Sequence, residues 1–175
     1  MKIKKIALLF FTLLWGMNLY AQIDEYLIKG VFIEKITRFV IWPQTPEFAD
    51  TTKPIIIGIF GENPFDKKLN TIYSKQKIKS KPVEIRHIST INDVDKVDIL
   101  FISYSESAQI QEILRKTKDK PILTFGDTQG YAEEGVMVNF YVESNRVRFE
   151  INDAATRNSK LQFSYILLNQ AKIVK

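Results

Sequence analysis

Val136-Met137-Val138-Asn139-Phe140-Tyr141-Val142-Glu143-Ser144-Asn145-Arg146-Val147-Arg148-Phe149-Glu150-Ile151-Asn152 decides the fold. Apolar and polar residues alternate on either side of Ser144-Asn145, which is the period of a half-buried strand. A two-residue turn there matches the arms without slippage: Val142 faces Val147, Phe140 faces Phe149 and Val138 faces Ile151. The same register sets Glu143 against Arg146, Tyr141 against Arg148 and Asn139 against Glu150. One face of the hairpin is core and the other is a patterned polar surface.

Upstream of this hairpin, strands and helices alternate. Ile55 to Phe60 is a continuous apolar run of the kind covered on both faces, and Pro82 to Ile88, Ile99 to Ser103 and Pro121 to Phe125 read as further strands. Ile28, Phe32, Ile36 and Phe39 or Val40 recur at helical spacing, so a helix is expected over about Asp24 to Ile41 and is ended by Trp42-Pro43. A shorter helix follows Asn63-Pro64, with Phe65 and Leu69 inward, and another spans Ser107 to Thr117. Ser159 and Gln162 have capping-box spacing ahead of Leu161, Tyr165, Leu168 and Ala171, which predicts a closing helix. The expected class is α/β: a mostly parallel sheet with helices on both faces, then the antiparallel hairpin and that helix.

Residues 1–21 carry Lys2, Lys4 and Lys5, an apolar run from Ile6 to Leu14, and Leu19-Tyr20-Ala21, the layout of a secretory signal peptide. Its core is shorter than the roughly 20 residues that span a bilayer. Residues 22–175 then form one expected domain. The leader takes three of the 25 basic residues and none of the 20 acidic ones, so the formal charge falls from +5 to +2. A nucleic-acid partner loses its main support, although Lys75, Lys77, Lys79 and Lys81 remain clustered in what reads as a solvated loop. The absence of cysteine excludes disulfides, and a single histidine leaves zinc short of its usual ligands, so no metal or cofactor is expected.

No catalytic motif stands in the chain. Gly58 and Gly61 lack a phosphate-loop pattern, Ser103, Ser105 and Ser107 lack a nucleophile elbow, and His87 falls in the alternation Val83, Ile85, His87. The loops beyond the strand ends carry Glu62, Asn63, Ser103, Ser105 and Asp127, which could line a ligand pocket or simply serve as turn and cap residues. Two surfaces are candidates for a partner. Trp42 either plugs the core or offers an exposed indole anchor. Arg146, Arg148, Glu150 and Asn152 either form a solvated sheet face or bind an acidic partner or small ligand through two guanidinium forks on alternate residues.

With these residues in place, the chain resembles the YfiR family of exported regulators. The resemblance is carried by the first helix ending in Trp42-Pro43, the strand ending in Gly61 with Asn63-Pro64-Phe65, and the strand Ile99 to Ser103. It continues through Pro121-Ile122-Leu123-Thr124, Gly135, Arg148-Phe149-Glu150-Ile151-Asn152, and Leu161 with Ser164, Leu167 and Leu168. It implies a periplasmic protein, not an enzyme, that restrains an inner-membrane diguanylate cyclase by binding its periplasmic portion. Cyclic-di-GMP signalling and biofilm formation fall as a result. A histidine kinase is the other partner the resemblance allows, and a homodimer stays open. Some relatives carry disulfide-forming cysteines, which this chain lacks. The rival readings are a small-ligand sensor or carrier that uses the strand-end loops, and a hydrolase.

Overall fold

The computed structural model describes residues 24–175, so the expected leader lies outside the described residues. Asp24 opens the first helix by accepting a hydrogen bond from the Leu27 amide, and α1 runs over Glu25–Arg38. It stops three residues before the expected end. Phe39 closes it, and Val40–Ile41 become a short strand, β1. The proline at 43 disfavours helical geometry at Trp42, and the two residues ahead of it are extended because a partner strand from near the C-terminus takes up their backbone groups.

The order continues with α2 (Pro46–Ala49), β2 (Ile55–Phe60), α3 (Lys68–Tyr73), β3 (Val83–Ile88), β4 (Ile99–Ile102), α4 (Ile110–Thr117), β5 (Leu123–Gly126) and α5 (Tyr131–Glu134). It finishes with β6 (Val138–Glu143), β7 (Arg146–Asn152), α6 (Asp153–Asn158), β8 (Gln162–Phe163), α7 (Tyr165–Leu168) and β9 (Lys172–Val174). The seven-stranded sheet has the order β3-β2-β4-β5-β6-β7-β9, with β2 to β6 parallel, and β1 pairs with β8 in a separate ribbon.

The hairpin forms in the predicted register, from Val138 opposite Ile151 to Glu143 opposite Arg146. Ser144 and Asn145 both take left-handed backbone, at φ 48° and 60°, the geometry whose twist matches the flanking strands. Alternation along the parallel strands feeds two cores. Ile55, Ile57, Ile59, Ile99, Phe101, Leu123 and Phe125 face α1 and α3, while Phe60, Leu100 and Ile102 face α4 and α5. Gly58 is required on the second face, because a Cβ there would come within 2.8 Å of Val97 and 2.9 Å of Ile88.

Three segments depart from the sequence reading. After Asn63-Pro64 the Asn63 side chain accepts from the Phe65 amide, and the helix begins only at Lys68, although Phe65 and Leu69 are both buried as expected. The stretch from Tyr104 to Gln109 winds as a 3₁₀ helix before α4.

The closing helix is a single turn. Ser159 does not open it: its hydroxyl donates to the Thr156 carbonyl and finishes α6, a helix that Asn152 caps. Ser164 caps α7 instead, and the chain returns to the sheet as β9, parallel to β7. The expected stripe is broken: Leu161 is buried and Leu168 and Ala171 pack on the core, but Tyr165 is 76% exposed, and the open edge of β7 offers Lys172–Val174 a ladder, so tertiary pairing overrides a short helical pattern.

Candidate functional site

The polar row of β7 divides into two halves. Arg146 and Arg148 are exposed, and Arg148 Nε sits 3.1 Å from Glu143. Glu150 and Asn152, expected on the same open face, are buried at 6% and 5% exposure. Glu150 accepts from Asn139 Nδ2 at 3.1 Å and Lys172 Nζ at 2.9 Å, an ion pair that holds the Lys172 ammonium above its ordinary pKa. Asn152 accepts from the Ala155 amide and donates to the Ala132 carbonyl, both at 2.6 Å. These two residues hold the fold together and offer nothing to a partner. Asn139 of β6, Lys172 of β9 and the helices α5 and α6 all close on this end of β7, and β9 pairs with it only from Glu150 to Asn152.

Beyond that cover, the outer edge of β7 from Arg146 to Phe149 has no neighbouring strand among the described residues. A groove of about 430 Å³ runs beside it, lined by Phe32, Tyr141, Val147, Arg148, Phe149 and Lys172. Phe32 comes from α1 and packs edge-on to Phe149, with centroids 5.9 Å apart. The groove thus joins an apolar floor, two cations and free backbone groups. Lys172 and Phe32 were not singled out from sequence. The β-branched pair Ile173-Val174 beside it is the signal that could have found the first.

Trp42 is 2% exposed and stacks on Phe48, with centroids 5.6 Å apart and planes 10° from parallel. The exposed-anchor expectation is therefore corrected: the indole plugs the end of the core.

The strand-end loops are brought together only in part. Gly61 takes a left-handed φ of 89°, and a Cβ on it would collide with the Ser105 hydroxyl at 2.3 Å, so the loops after β2 and β4 press directly on each other. The Glu62 amide donates to Ser105 Oγ at 3.0 Å. A cleft of about 530 Å³ opens there between Phe60, Glu62, His87, Ser105, Glu106 and Gln109, at the point where chain order reverses across β2. The other three candidates are engaged elsewhere. Asn63 holds the Phe65 amide, Ser103 is buried with its carbonyl accepting from the Tyr131 hydroxyl at 3.1 Å, and Asp127 closes an ion pair with Lys29 at 2.7 Å.

That pair is nearly dry, with side chains 4% and 8% exposed, and Tyr26 adds a hydrogen bond to Asp127 at 2.9 Å. Burial, reinforced by the Asp127 charge, pushes the Tyr26 phenol well above its ordinary pKa. The arrangement ties α1 to the carboxyl end of β5. For the hydrolase reading, Ser105 and His87 both line the cleft beside Glu62, but no hydrogen bond joins them among the described residues: the Ser105 hydroxyl points to Glu106 Oε1 at 3.3 Å, and His87 is an exposed residue of β3. Among the described residues no group of three or more metal-ligating side chains could hold an ion, and no helix is long and apolar enough to cross a membrane.

Solved structures agree on architecture alone. A conserved domain protein from Vibrio cholerae O1 biovar El Tor str. N16961 aligns at 12% identity and a TM-score of 0.56, over 86% of this chain and 60% of that one. The ABC domain in complex with L-Trp from Streptococcus pneumonia aligns at 10% identity and a TM-score of 0.50, over 73% and 58%. The chain thus spans about three fifths of the length of either structure. No curated protein matches it. A family model described as YfiR/HmsC-like matches residues 26–172.

Proposed function

Because the chain belongs to the YfiR/HmsC-like family, we propose that it is a periplasmic regulator that binds and restrains an inner-membrane signalling protein. The favoured partner is a diguanylate cyclase, with control of cyclic-di-GMP as the output. The observation that carries this reading is the half-covered edge of β7. A segment of the partner's periplasmic portion adds as a strand beside Arg146–Phe149, its backbone completing the ladder and its side chains meeting Phe32, Val147 and Phe149 in the groove. Arg148 supplies a planar donor fork for a carboxylate on that segment.

Restraint then requires no reaction. A regulator that binds one conformation of the receptor's outer domain better than the other shifts the population, and the shift passes through the membrane helices. The test is affinity for the isolated periplasmic portion of a diguanylate cyclase from the same organism, measured by calorimetry. Arg148→Glu should weaken binding about 10- to 100-fold, the worth of a charge-assisted hydrogen bond reversed to repulsion. Unchanged affinity would remove this edge from the interface.

One observation favours a second reading, a small-ligand sensor that feeds a membrane kinase: the cleft between Glu62 and Ser105 lies where open parallel sheets take their ligands. Ligand-dependent thermal stabilisation with no partner present, lost in Glu62→Ala, would establish it.

A further inference from the structure

A different face combines exposed apolar residues with unpaired cations. The β1–β8 ribbon turns Val40 inward and Phe39 and Ile41 outward, at 39% and 49% exposure. The Ser164 amide donates to the Phe39 carbonyl at 3.0 Å, which brings α7 alongside, and there Tyr165 and Ile166 are 76% and 63% exposed. Isolated exposed apolar residues are ordinary, but four gathered on one short ribbon and the turn that follows it are not.

The lysine cluster borders this patch. Ile78 and Lys81 pair across a tight turn in which Lys79 and Ser80 are both left-handed, at φ 50° and 67°. The turn is pinned at its base, because buried Lys81 donates to the Phe48 and Asp50 carbonyls, and at its tip, because Lys79 Nζ donates to the Arg38 carbonyl at 2.9 Å. Arg38 directly precedes Phe39. The tip therefore stands at the margin of the apolar residues, with Lys75 and Lys77 exposed on the approach and Lys35 exposed one helical turn before Phe39. Glu34 neutralises Arg38, whereas Lys35, Lys75, Lys77 and Lys79 form no salt bridge among the described residues.

We infer that this face docks on an anionic lipid bilayer, with Tyr165, Ile166, Phe39 and Ile41 entering the headgroup region and the lysines lying over lipid phosphates. The occupant is chosen by charge complementarity. Unpaired ammonium groups beside exposed aromatic and aliphatic side chains match a surface that is anionic outside and apolar a few ångströms deeper. In a periplasmic regulator, such docking would hold the open edge of β7 within reach of a membrane-bound receptor.

Residues 22–175 would be sedimented with vesicles of phosphatidylcholine alone and with about 30% phosphatidylglycerol, in about 0.1 M salt. Binding is expected only to the anionic vesicles. Lys75→Gln with Lys77→Gln should weaken it roughly 25-fold, at about fivefold per lysine. Tyr165→Ser with Ile166→Ser should weaken it about tenfold or more through lost apolar burial. All four residues are exposed, so melting curves of the variants should match the parent and report any loss of fold. Equal binding to both vesicle types, no binding to either, or unchanged binding of the serine variant each overturns the inference. So does a dimer in size exclusion that the serine variant dissociates while vesicles bind nothing. No receptor is present in these measurements, so their failure leaves the β7 reading standing.

Discussion

Asp127→Asn tests whether the buried ion pair, and not only the sheet, fastens α1 to the domain. Lys29 and Asp127 are almost fully withdrawn from water at 2.7 Å separation, and removing one partner of such a pair costs about 3–5 kcal/mol. Two features place the cost toward the lower end. Asparagine can still accept from Tyr26, and Lys29 keeps Glu25 at 2.6 Å, although that carboxylate is 46% exposed and screened by solvent. About 3 kcal/mol is expected, which for a domain of this size lowers the melting temperature by roughly 6–12 °C.

Thermal denaturation followed by circular dichroism is the assay, with the double variant Lys29→Met, Asp127→Leu as the companion. Replacing both charges with apolar groups of similar volume should bring stability back to within about 1 kcal/mol of the parent. If the single substitution costs less than about 1 kcal/mol, or if the double variant is as unstable as the single, the pair does not clamp the helix and the reasoning fails.

Asp98 gives a pH-dependent prediction. Burial raises its carboxyl pKa, against the pull of the Ile56 amide and the nearby Lys81 and Arg86 charges. The folded chain therefore holds that proton more tightly than the unfolded chain. Its stabilising contribution is complete below the ordinary carboxyl range and is lost as pH rises through the raised value. Asp98→Asn keeps an acceptor for Ile56 without the charge, so it should melt above the parent at neutral pH, with the difference closing toward about pH 3. A parent that melts higher at pH 7 would refute this. Asn152→Ala should cost about 1–3 kcal/mol by denaturant unfolding, since it removes the cap of α6 and one buried hydrogen bond to the Ala132 carbonyl, which keeps only the Gly135 amide. Arg146→Ala, two strand positions beyond Arg148 on the open edge, should stay within about 0.5 kcal/mol of the parent in the same experiment.

The hairpin was legible to the residue because one buried face fixes register, and a slip by one position would expose Phe140, Phe149 and Ile151 together. The parallel strands were legible for a related reason: a run such as Ile55 to Phe60 has few uses other than a doubly covered strand. What sequence could not reveal were decisions made by distant backbone. Val40 and Ile41 continue a helical pattern until Gln162 and Phe163 offer them a ladder, and Lys172 to Val174 follow a helical stripe until the β7 edge does the same. The candidate surface failed in the same way. Glu150 and Arg148 look alike as alternate residues of one polar face, and only the tertiary packing of that end of β7, with Asn139 on one side and β9 on the other, buries the one and leaves the other open. Trp42 was decided by the ring it met, Phe48, which lies across a proline-rich turn.

The short reach of β9 also sets a ruler on what can join this sheet. Four residues of β7 remain free, about 13 Å of strand at ordinary rise. A visiting segment longer than that can lengthen its grip only by peeling Lys172–Val174 away, which would release Glu150 and Lys172 from each other and expose Ile151. Any long guest must therefore compete with the protein's own tail, and the tail sets the threshold of affinity a guest has to exceed.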